Sequence, residues 1–318
     1  MSKISRRDRF LGGLWGSLVG DALGVPVEFI DRASVQSDPV TDMREFGTHH
    51  QPRGTWSDDG ALILCTTDSL LHHEFDPADM GARFVRWMNR GLWTAGGEAF
   101  DVGCTTMDSL LRIEKGAPAE LAGGQSEDNN GNGSLMRILP APLRFATDPL
   151  ESFVEKLERA SAITHAHARS KMGCVFYGLL VRELLGGQPA SEALKLARTE
   201  FVRCYERAPE LPAFRHLLEN SLDSLPEDEV LSTGYVLHTL HASLWCLLTT
   251  RNFRDAVLKA VNLGGDTDTT GCVTGGLAGV TYGLPALPGD WINQLARKDD
   301  VDCLFREFAD LCETPGAK

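Results

Sequence analysis

The sequence lacks several patterns that would each indicate a particular class of protein. None of its eight cysteines forms a CxxC pair or a Cys/His arrangement with zinc-finger spacing, which excludes the common structural zinc sites. We therefore expect reduced, buried thiols of the kind found in cytoplasmic proteins. No stretch of about 18 uncharged apolar residues is present, so we expect no transmembrane helix. Alternating apolar and polar residues are rare, which predicts very little β-strand.

Positive charge is scarce relative to negative charge. The 318 residues include 31 Lys and Arg against 44 Asp and Glu, a net charge of −13. An acidic surface repels nucleic-acid backbones and anionic membranes, so we expect neither as a partner. Hydrophobic residues make up 42% of the chain, enough apolar surface to offset the conformational entropy lost on folding.

The N-terminal segment carries a weak targeting pattern. Residues 5–11 (SRRDRFL) loosely resemble a twin-arginine signal, and an apolar run that ends at Asp21 follows them. No small-residue cleavage site comes after that run, so we interpret the segment as part of a mature, cytoplasmic protein.

Helical periodicity, in contrast, is abundant. Apolar residues recur at spacings of three and four, as at Leu14, Leu18 and Ala22. The same period predicts later helices over residues 151–163, 168–185, 189–204, 232–249, 252–262, 270–281 and 298–312. Short breaks marked by Gly and Pro separate these segments, and no linker or low-complexity tract divides the chain. We predict an all-α fold, a single compact multi-helix domain over residues 1–318 with about a dozen helices.

Two acidic clusters, residues 57–59 (SDD) and 266–269 (DTDT), stand directly before apolar helical runs. Helix capping explains one Ser, Thr or Asp at each place. It does not explain a second carboxylate, because one cap residue satisfies a helix end and further negative charge adds repulsion. Carboxylates and hydroxyls are the hard ligands that suit Mg²⁺ or Mn²⁺, and Glu28 is a further candidate. Two divalent ions would nearly balance these five carboxylates, although the spacing leaves open whether the three segments converge.

A third polar segment, residues 129–137 (NNGNGSLMR), precedes the apolar run at 138–140. Successive Gly and Asn residues tolerate positive φ and expose backbone N–H groups. A helix N-terminus after such a loop is a ready anion site. The alternative is an ordinary turn, because the segment has no Gly-Lys-Ser/Thr of a Walker loop.

Together these segments resemble the ADP-ribosylglycohydrolase family. The matching blocks are residues 16–28 (GSLVGDALGVPVE), 54–60 (GTWSDDG), 131–137 (GNGSLMR), 164–165 (TH) and 262–271 (NLGGDTDTTG). They occur in the family's order, and each block alone is weak. The resemblance implies an all-α fold with a binuclear Mg²⁺ or Mn²⁺ site in a cleft. It also implies a hydrolase that releases ADP-ribose from an ADP-ribosylated protein.

The resemblance, carried over by position, implies a set of metal ligands and a set of substrate contacts. The ligands would be Glu28, Ser57, Asp58, Asp59, Asp266, Asp268 and Thr269, with Ser57 where the family commonly has Thr. The substrate contacts would be Asp101, Gly103, Gly131, Asn132, Gly133, Ser134, Met136 and His165. The 131–137 loop would hold the diphosphate of ADP-ribose, and Glu28 or Asp101 would serve as the general acid/base.

Residues 100–106 (FDVGCTT) resemble a block of the bacterial nitrogenase-linked branch of the family. That likeness implies arginine as the linked residue and places Asp101 against the substrate. The alternatives are a helix N-cap for Asp101 and a hydrogen-bonded interior position for His165. We expect His49, His50 and His167 to be solvated.

Other functions stay open at this point. The substrate could be ADP-ribosyl-serine, O-acetyl-ADP-ribose or an ADP-ribosylated nucleic acid base. A catalytically inactive binding or structural relative is another possibility, although both acidic clusters retain all their carboxylates. A metal-dependent phosphatase would need a cation beside those clusters, and only Arg53 and Arg137 come close in sequence. We expect a monomer.

Overall fold

Fifteen α-helices build residues 4–219 and 222–313, the part of the chain that the computed structural model describes. They are α1 (Arg6–Gly24), α2 (Arg32–Ser37), α3 (Asp58–His72), α4 (Pro77–Arg90), α5 (Cys104–Glu114), α6 (Pro140–Phe145), α7 (Leu150–Ala162), α8 (Ala168–Leu185), α9 (Ala190–Tyr205), α10 (Arg215–Leu218), α11 (Val236–Leu248), α12 (Phe253–Val261), α13 (Thr267–Tyr282), α14 (Gly289–Gln294) and α15 (Lys298–Glu313). Over these residues, β structure is limited to three isolated bridges.

The predicted all-α, single-domain fold class is therefore confirmed for the described residues, and most buried apolar side chains form one continuous core. The boundaries at residues 1 and 318 stay a prediction. The predicted helix over residues 232–249 starts later, at Val236, because residues 232–235 form a non-helical segment that is paired to the 131–132 turn.

Helices α1 and α13 approach each other unusually closely because both present glycines. The glycines are Gly12, Gly16, Gly20 and Gly24 on α1, and Gly271, Gly275 and Gly279 on α13. A Cβ added at Gly16 would lie 2.3 Å from the Gly275 carbonyl oxygen, and one added at Gly20 would lie 2.0 Å from that of Gly271. Gly12, in the first half of α1, faces Gly279, near the end of α13, so the two helices run antiparallel. The end of α1 therefore lies beside the start of α13.

Residues Arg6–Val27 are long and apolar enough to pass a length and hydropathy test for a membrane span. The expectation of no transmembrane helix rested on the lack of a long uncharged run, and Asp21 interrupts the apolar run of α1. All of the apolar window is buried inside the protein, as expected for a central core helix. Helices α8, α11 and α12 pack against α13, while α3 and α15 pack against α1.

The expectation of buried thiols is correct for half of the cysteines. Cys65, Cys174, Cys246 and Cys272 are buried, and none of the eight takes part in a disulfide among the described residues. The expectation is wrong for Cys104 and Cys303, which are exposed.

Candidate active site

The candidate site lies where the end of α1 meets the starts of α3 and α13. A cavity of about 250 Å³ opens there. Its lining includes the predicted metal ligands Glu28, Asp58, Asp59, Asp266 and Thr269, and the predicted substrate contacts Asp101, Gly103, Gly131, Asn132, Gly133, Met136 and His165. The structure therefore brings together segments that are up to about 240 residues apart in the chain, as the close α1–α13 contact requires.

Neither helix start is capped by an N-cap carboxylate. Ser57 is the N-cap of α3, and its hydroxyl accepts a hydrogen bond from the Asp59 backbone N–H at 3.3 Å. Asp266 occupies the N-cap position of α13, but its side chain makes no capping hydrogen bond. Asp268 Oδ1 accepts a hydrogen bond from the Thr269 backbone N–H at 2.9 Å, so the start of α13 uses one carboxylate oxygen and leaves others without a partner.

All seven predicted metal ligands lie in this region. Carboxylate oxygens of Glu28, Asp266 and Asp268 lie within 4.8 Å of one another. The Thr269 hydroxyl donates to Asp59 Oδ2 at 3.3 Å, and the Ser57 hydroxyl lies 3.5 Å from the same oxygen. This arrangement of hard oxygen donors can hold a divalent cation, and the ligand role of each residue stays a prediction.

Three carboxylate oxygens in the cluster are buried without a hydrogen-bond partner. They are Asp59 Oδ1, Asp266 Oδ1 and Asp268 Oδ2. A buried acceptor without a partner is costly, and a buried charge without a partner more so. The residues therefore fit divalent metal ions, because bound cations would satisfy carboxylate oxygens that have no other partner.

The pKa values of the clustered carboxylates also indicate a cation site. Burial, followed by the charges of Asp101 and Asp266, raises the pKa of Glu28 to about 10. Burial and neighbouring carboxylates also raise the pKa values of Asp58, Asp59 and Asp268 well above their ordinary value. Without a cation this cluster would hold protons, whereas a bound cation favours the charged forms.

Sequence reasoning missed Asp21, which organises the start of α3. This fully buried carboxylate accepts hydrogen bonds from the backbone N–H groups of Ser57 at 3.0 Å and Gly60 at 2.7 Å. Burial raises its pKa to about 7, although these hydrogen bonds oppose the rise. The available signal was a single Asp inside an otherwise apolar stretch of α1. Its position fixes the turn that presents Asp58 and Asp59.

Asp101 lines the cavity but does not cap a helix. The N-cap of α5 is Gly103, and Asp101 has a positive φ of 57°. The capping alternative is therefore wrong. The expectation of a solvated His49 is also wrong, because its Nε2 contacts the Glu28 carboxylate and lies 4.0 Å from Asp101 Oδ1. His50 is exposed as expected, and His167 is the half-buried N-cap of α8.

The 131–137 loop does not lead directly into a helix as predicted, since α6 begins only at Pro140. The Asn132 backbone N–H donates to the Gly234 carbonyl at 2.9 Å, so it is not free for a phosphate. The Asn132 amide donates to Asp266 Oδ2 at 2.9 Å and thereby links the loop to the acidic cluster. The Ser134 hydroxyl is fully buried and contacts Ser161 and Cys174 instead of lining the cavity.

His165 lies beside this loop with its ring buried. Its Nδ1 is 2.8 Å from the Thr164 hydroxyl, which also accepts from the Arg137 guanidinium at 2.9 Å. Arginine can only donate, so the Thr164 hydroxyl accepts from Arg137 and keeps its own proton to donate to Nδ1. In that arrangement the ring proton of His165 is on Nε2. Burial, reinforced by the Arg137 charge, lowers the pKa of His165 to about 3. The ring is therefore a neutral donor at physiological pH.

The depressed pKa of His165 predicts a specific acid sensitivity. Below its ordinary pKa of 6.5, the unfolded chain binds a proton at His165 that the folded protein rejects, so stability falls as the pH drops towards 3. Between pH 7 and pH 4, the parent should lose about 3 kcal/mol more unfolding free energy than His165→Gln. Urea unfolding in chelator measures the unfolding free energy of both proteins as a function of pH. Parallel pH profiles would contradict the low pKa of His165.

A second prediction concerns the space around Gly133. A Cβ at this position would lie 2.8 Å from His165 Cε1 and 3.1 Å from the Thr106 hydroxyl. We expect Gly133→Val to raise the Kd for ADP-ribose at least about tenfold, with a smaller effect for Gly131→Ala. Calorimetry measures both, with Gly289→Val, whose added Cβ has nothing within 4 Å, as the control. Equal affinities for the parent and Gly133→Val would exclude a role of this loop in binding.

The fold and the cavity together define a class of protein: an all-helical domain with a buried carboxylate cluster beside a glycine-rich loop. A model of the family described as ADP-ribosylglycohydrolase matches residues 2–318. The chain belongs to the ADP-ribosylglycohydrolase family.

Individual relatives agree with this membership. The chain is 30% identical to the ADP-ribosylarginine hydrolase Tri1 of Serratia proteamaculans, over 95% of this chain and 79% of the relative. It is 30% identical to the ADP-ribosyl-[dinitrogen reductase] glycohydrolase of Rhodospirillum rubrum, over 94% of each chain. A solved ADP-ribosylglycohydrolase-related protein complex superposes with a TM-score of 0.81 at 34% identity, over 97% of this chain and 99% of that one. The chain is thus an ADP-ribosyl hydrolase by family and homology.

Proposed function

We propose that the protein is a metal-dependent hydrolase that removes ADP-ribose from arginine side chains of modified proteins. The cluster of buried carboxylates, with its three unpartnered oxygens, carries the metal part of this proposal. Two ions, Mg²⁺ or Mn²⁺, are proposed because seven donor residues exceed what one largely hydrated octahedral ion takes from a protein. The arginine linkage is supported by the relative named ADP-ribosylarginine hydrolase and by the position of Asp101 in the cavity.

The reaction would be hydrolysis of the glycosidic bond at the anomeric carbon of ADP-ribose. Its transition state resembles an oxocarbenium ion, so the leaving group needs a proton and the carbon needs a water molecule. The metal ions, when bound, would orient ribose hydroxyls and lower the pKa of a coordinated water. Asp101 or Glu28 would transfer the proton, since both carboxylates line the cavity. His165 would donate its Nε2–H to an oxygen of the substrate.

The geometry argues against the phosphatase alternative. Arg137 is fully buried behind the loop, where it donates to the Ala160 carbonyl and to Thr164, and its guanidinium lies 4.6 Å from the Phe84 ring centroid. Arg53 is exposed. Neither of the two candidate arginines supplies the cation that a phosphate-cleaving site would need beside its acidic cluster. An inactive relative is also disfavoured, because it would have no reason to keep all seven donors together.

The decisive experiment measures ADP-ribose release from arginine-, serine- and acetyl-linked substrates, with and without chelator. We expect the arginine linkage to be cleaved fastest, activity to disappear in chelator, and added Mg²⁺ or Mn²⁺ to restore it. Full activity in chelator would refute the metal requirement, and preference for the serine or acetyl linkage would refute the arginine assignment.

We further propose that the enzyme is a cytoplasmic monomer, which its acidic surface and unpaired cysteines support. Light scattering coupled to size-exclusion chromatography tests the oligomeric state, and cell fractionation tests the location. A dimer mass or recovery in a membrane or secreted fraction would refute the respective part.

A further inference from the structure

Phe29 is an exposed aromatic residue at the mouth of the candidate active site. Its side chain is 67% exposed although it directly follows Glu28 and lines the cavity. The other large apolar side chains with high exposure among the described residues, such as Phe46 and Leu121, lie outside that lining. Single exposed apolar side chains are common on protein surfaces, so it is the position of this ring in the lining of the cavity that points to contact with a ligand.

The backbone holds Phe29 in an unfavourable conformation. Its φ is +60°, in the left-handed region that a residue with a Cβ seldom adopts. The Phe29 N–H donates to the Gly265 carbonyl at 2.7 Å, and the Gly265 N–H donates to the Ile30 carbonyl at 2.8 Å. Hydrogen bonds from the loop that carries Asp266 therefore impose the conformation. Strain fixed in this way at a cavity suggests that the position of the ring matters for function.

A carboxylate and two further rings complete the surroundings. Asp101, which also has a positive φ, lines the same cavity. The His49 ring lies between the two segments, with its centroid 6.2 Å from that of Phe29 and 5.3 Å from that of Phe100. An aromatic face attracts a cation, and a carboxylate accepts its N–H groups. A planar cation with several N–H donors matches both features, as a guanidinium does.

We propose that Phe29 is a specificity-determining residue whose ring stacks on the guanidinium of the ADP-ribosylated arginine while Asp101 accepts its N–H groups. This inference rests on the proposed function and adds the part of the site that distinguishes the linked residue. The hydroxyl-derived oxygen of serine and an acetyl group have neither a positive charge nor the N–H donors, so they would gain little from this pair.

The test compares the parent with Phe29→Ala, Phe29→Leu and Phe46→Ala. Phe46 is a matched control, since it is 55% exposed, has a φ of 65° and lies outside the cavity lining. For Phe29→Ala we expect the ratio of kcat/KM on arginine-linked to serine- or acetyl-linked substrate to fall about 3- to 30-fold. Phe29→Leu should show most of this loss, because it keeps apolar bulk but removes the aromatic face. Phe46→Ala should behave like the parent.

Agmatine, which carries a guanidinium but no ribose, separates this inference from the proposed function. Its inhibition constant, measured on whichever linkage the parent cleaves, should rise about 3- to 30-fold in Phe29→Ala. Inhibition by free ADP-ribose and the Mn²⁺ dependence should not change, which would exclude indirect displacement of Glu28. Equal losses on all substrates, or an unchanged agmatine constant, would overturn the role of Phe29. If the parent does not cleave the arginine-linked substrate, the proposed linkage is refuted. The agmatine comparison still tests whether Phe29 contacts a guanidinium.

Discussion

Asp268→Asn should lower kcat/KM by roughly 10²- to 10⁴-fold, the several kcal/mol that a catalytic metal supplies to the transition state. Asp268 is fully buried, and its Oδ2 has no hydrogen-bond partner in the structure. Its carboxylate lies within 4.8 Å of those of Glu28 and Asp266. An amide keeps an acceptor for the Thr269 N–H, which Asp268 Oδ1 accepts at 2.9 Å, so α13 should still form. What the substitution removes is the charge that holds the cation.

The same substitution should stabilise the metal-free protein. Burial and neighbouring carboxylates raise the folded-state pKa of Asp268, so its ionisation opposes folding and stability is lost as the pH rises above the ordinary pKa of an aspartate. Asparagine does not ionise, and it also relieves repulsion from Glu28 and Asp266. We therefore expect a higher melting temperature in chelator and a smaller increase on adding Mg²⁺ or Mn²⁺.

Thermal unfolding with and without metal, together with an activity assay, measures both effects. Asp108→Asn is the matched control, because it removes one charge from an exposed position on α5 outside the cavity lining. It should leave activity and the metal-induced shift unchanged. A metal-free Asp268→Asn protein that melts below the parent would indicate a purely structural role for this carboxylate.

The second large effect concerns the contact between α1 and α13. Gly275→Ala should destabilise the protein by about 3 kcal/mol or more, because overpacking has no room to relax here. The added Cβ would lie 2.0 Å from the Gly16 carbonyl oxygen and 2.8 Å from its carbon, which are both backbone atoms. The helices would have to separate, and Asp21 and Asp268 would separate with them. The metal-induced stabilisation should therefore fall as well.

The expected destabilisation is opposite to the usual effect of this substitution, which makes the test strict. A Gly→Ala change inside a helix ordinarily stabilises it by up to about 1 kcal/mol. Gly289→Ala, at the start of α14 with nothing within 4 Å of the added carbon, serves as the control and should be within about 0.5 kcal/mol of the parent. Denaturant unfolding measures both variants. A neutral or stabilised Gly275→Ala protein would show that the close helix contact does not hold the site together.

Most of the fold could be predicted from local pattern. The helix predicted over residues 168–185 is α8 at the same bounds, and the one predicted over 151–163 is α7 shifted by one residue. Helix α7 buries one apolar stripe, so its period of 3.6 residues is visible in the sequence. Helix α8 is buried on nearly all sides from Met172 to Val181, and its apolar length before a Gly- and Pro-marked break predicts it. Helix α1 is buried over most of its length, and that is why its apolar run could also be mistaken for a membrane span.

The sequence by itself determined the all-α class and the chemistry of the donors, because helical period and residue type are local properties. It indicated that the carboxylates at 58–59 and 266–268 exceed what helix capping requires. Only the tertiary structure decided that these segments meet Glu28, since their meeting depends on the glycine contact between α1 and α13. It also revealed the contacts of Asp21, His49 and Phe29, whose partners lie on other segments. Convergence of distant residues is a property of packing, and no single stretch of sequence encodes it.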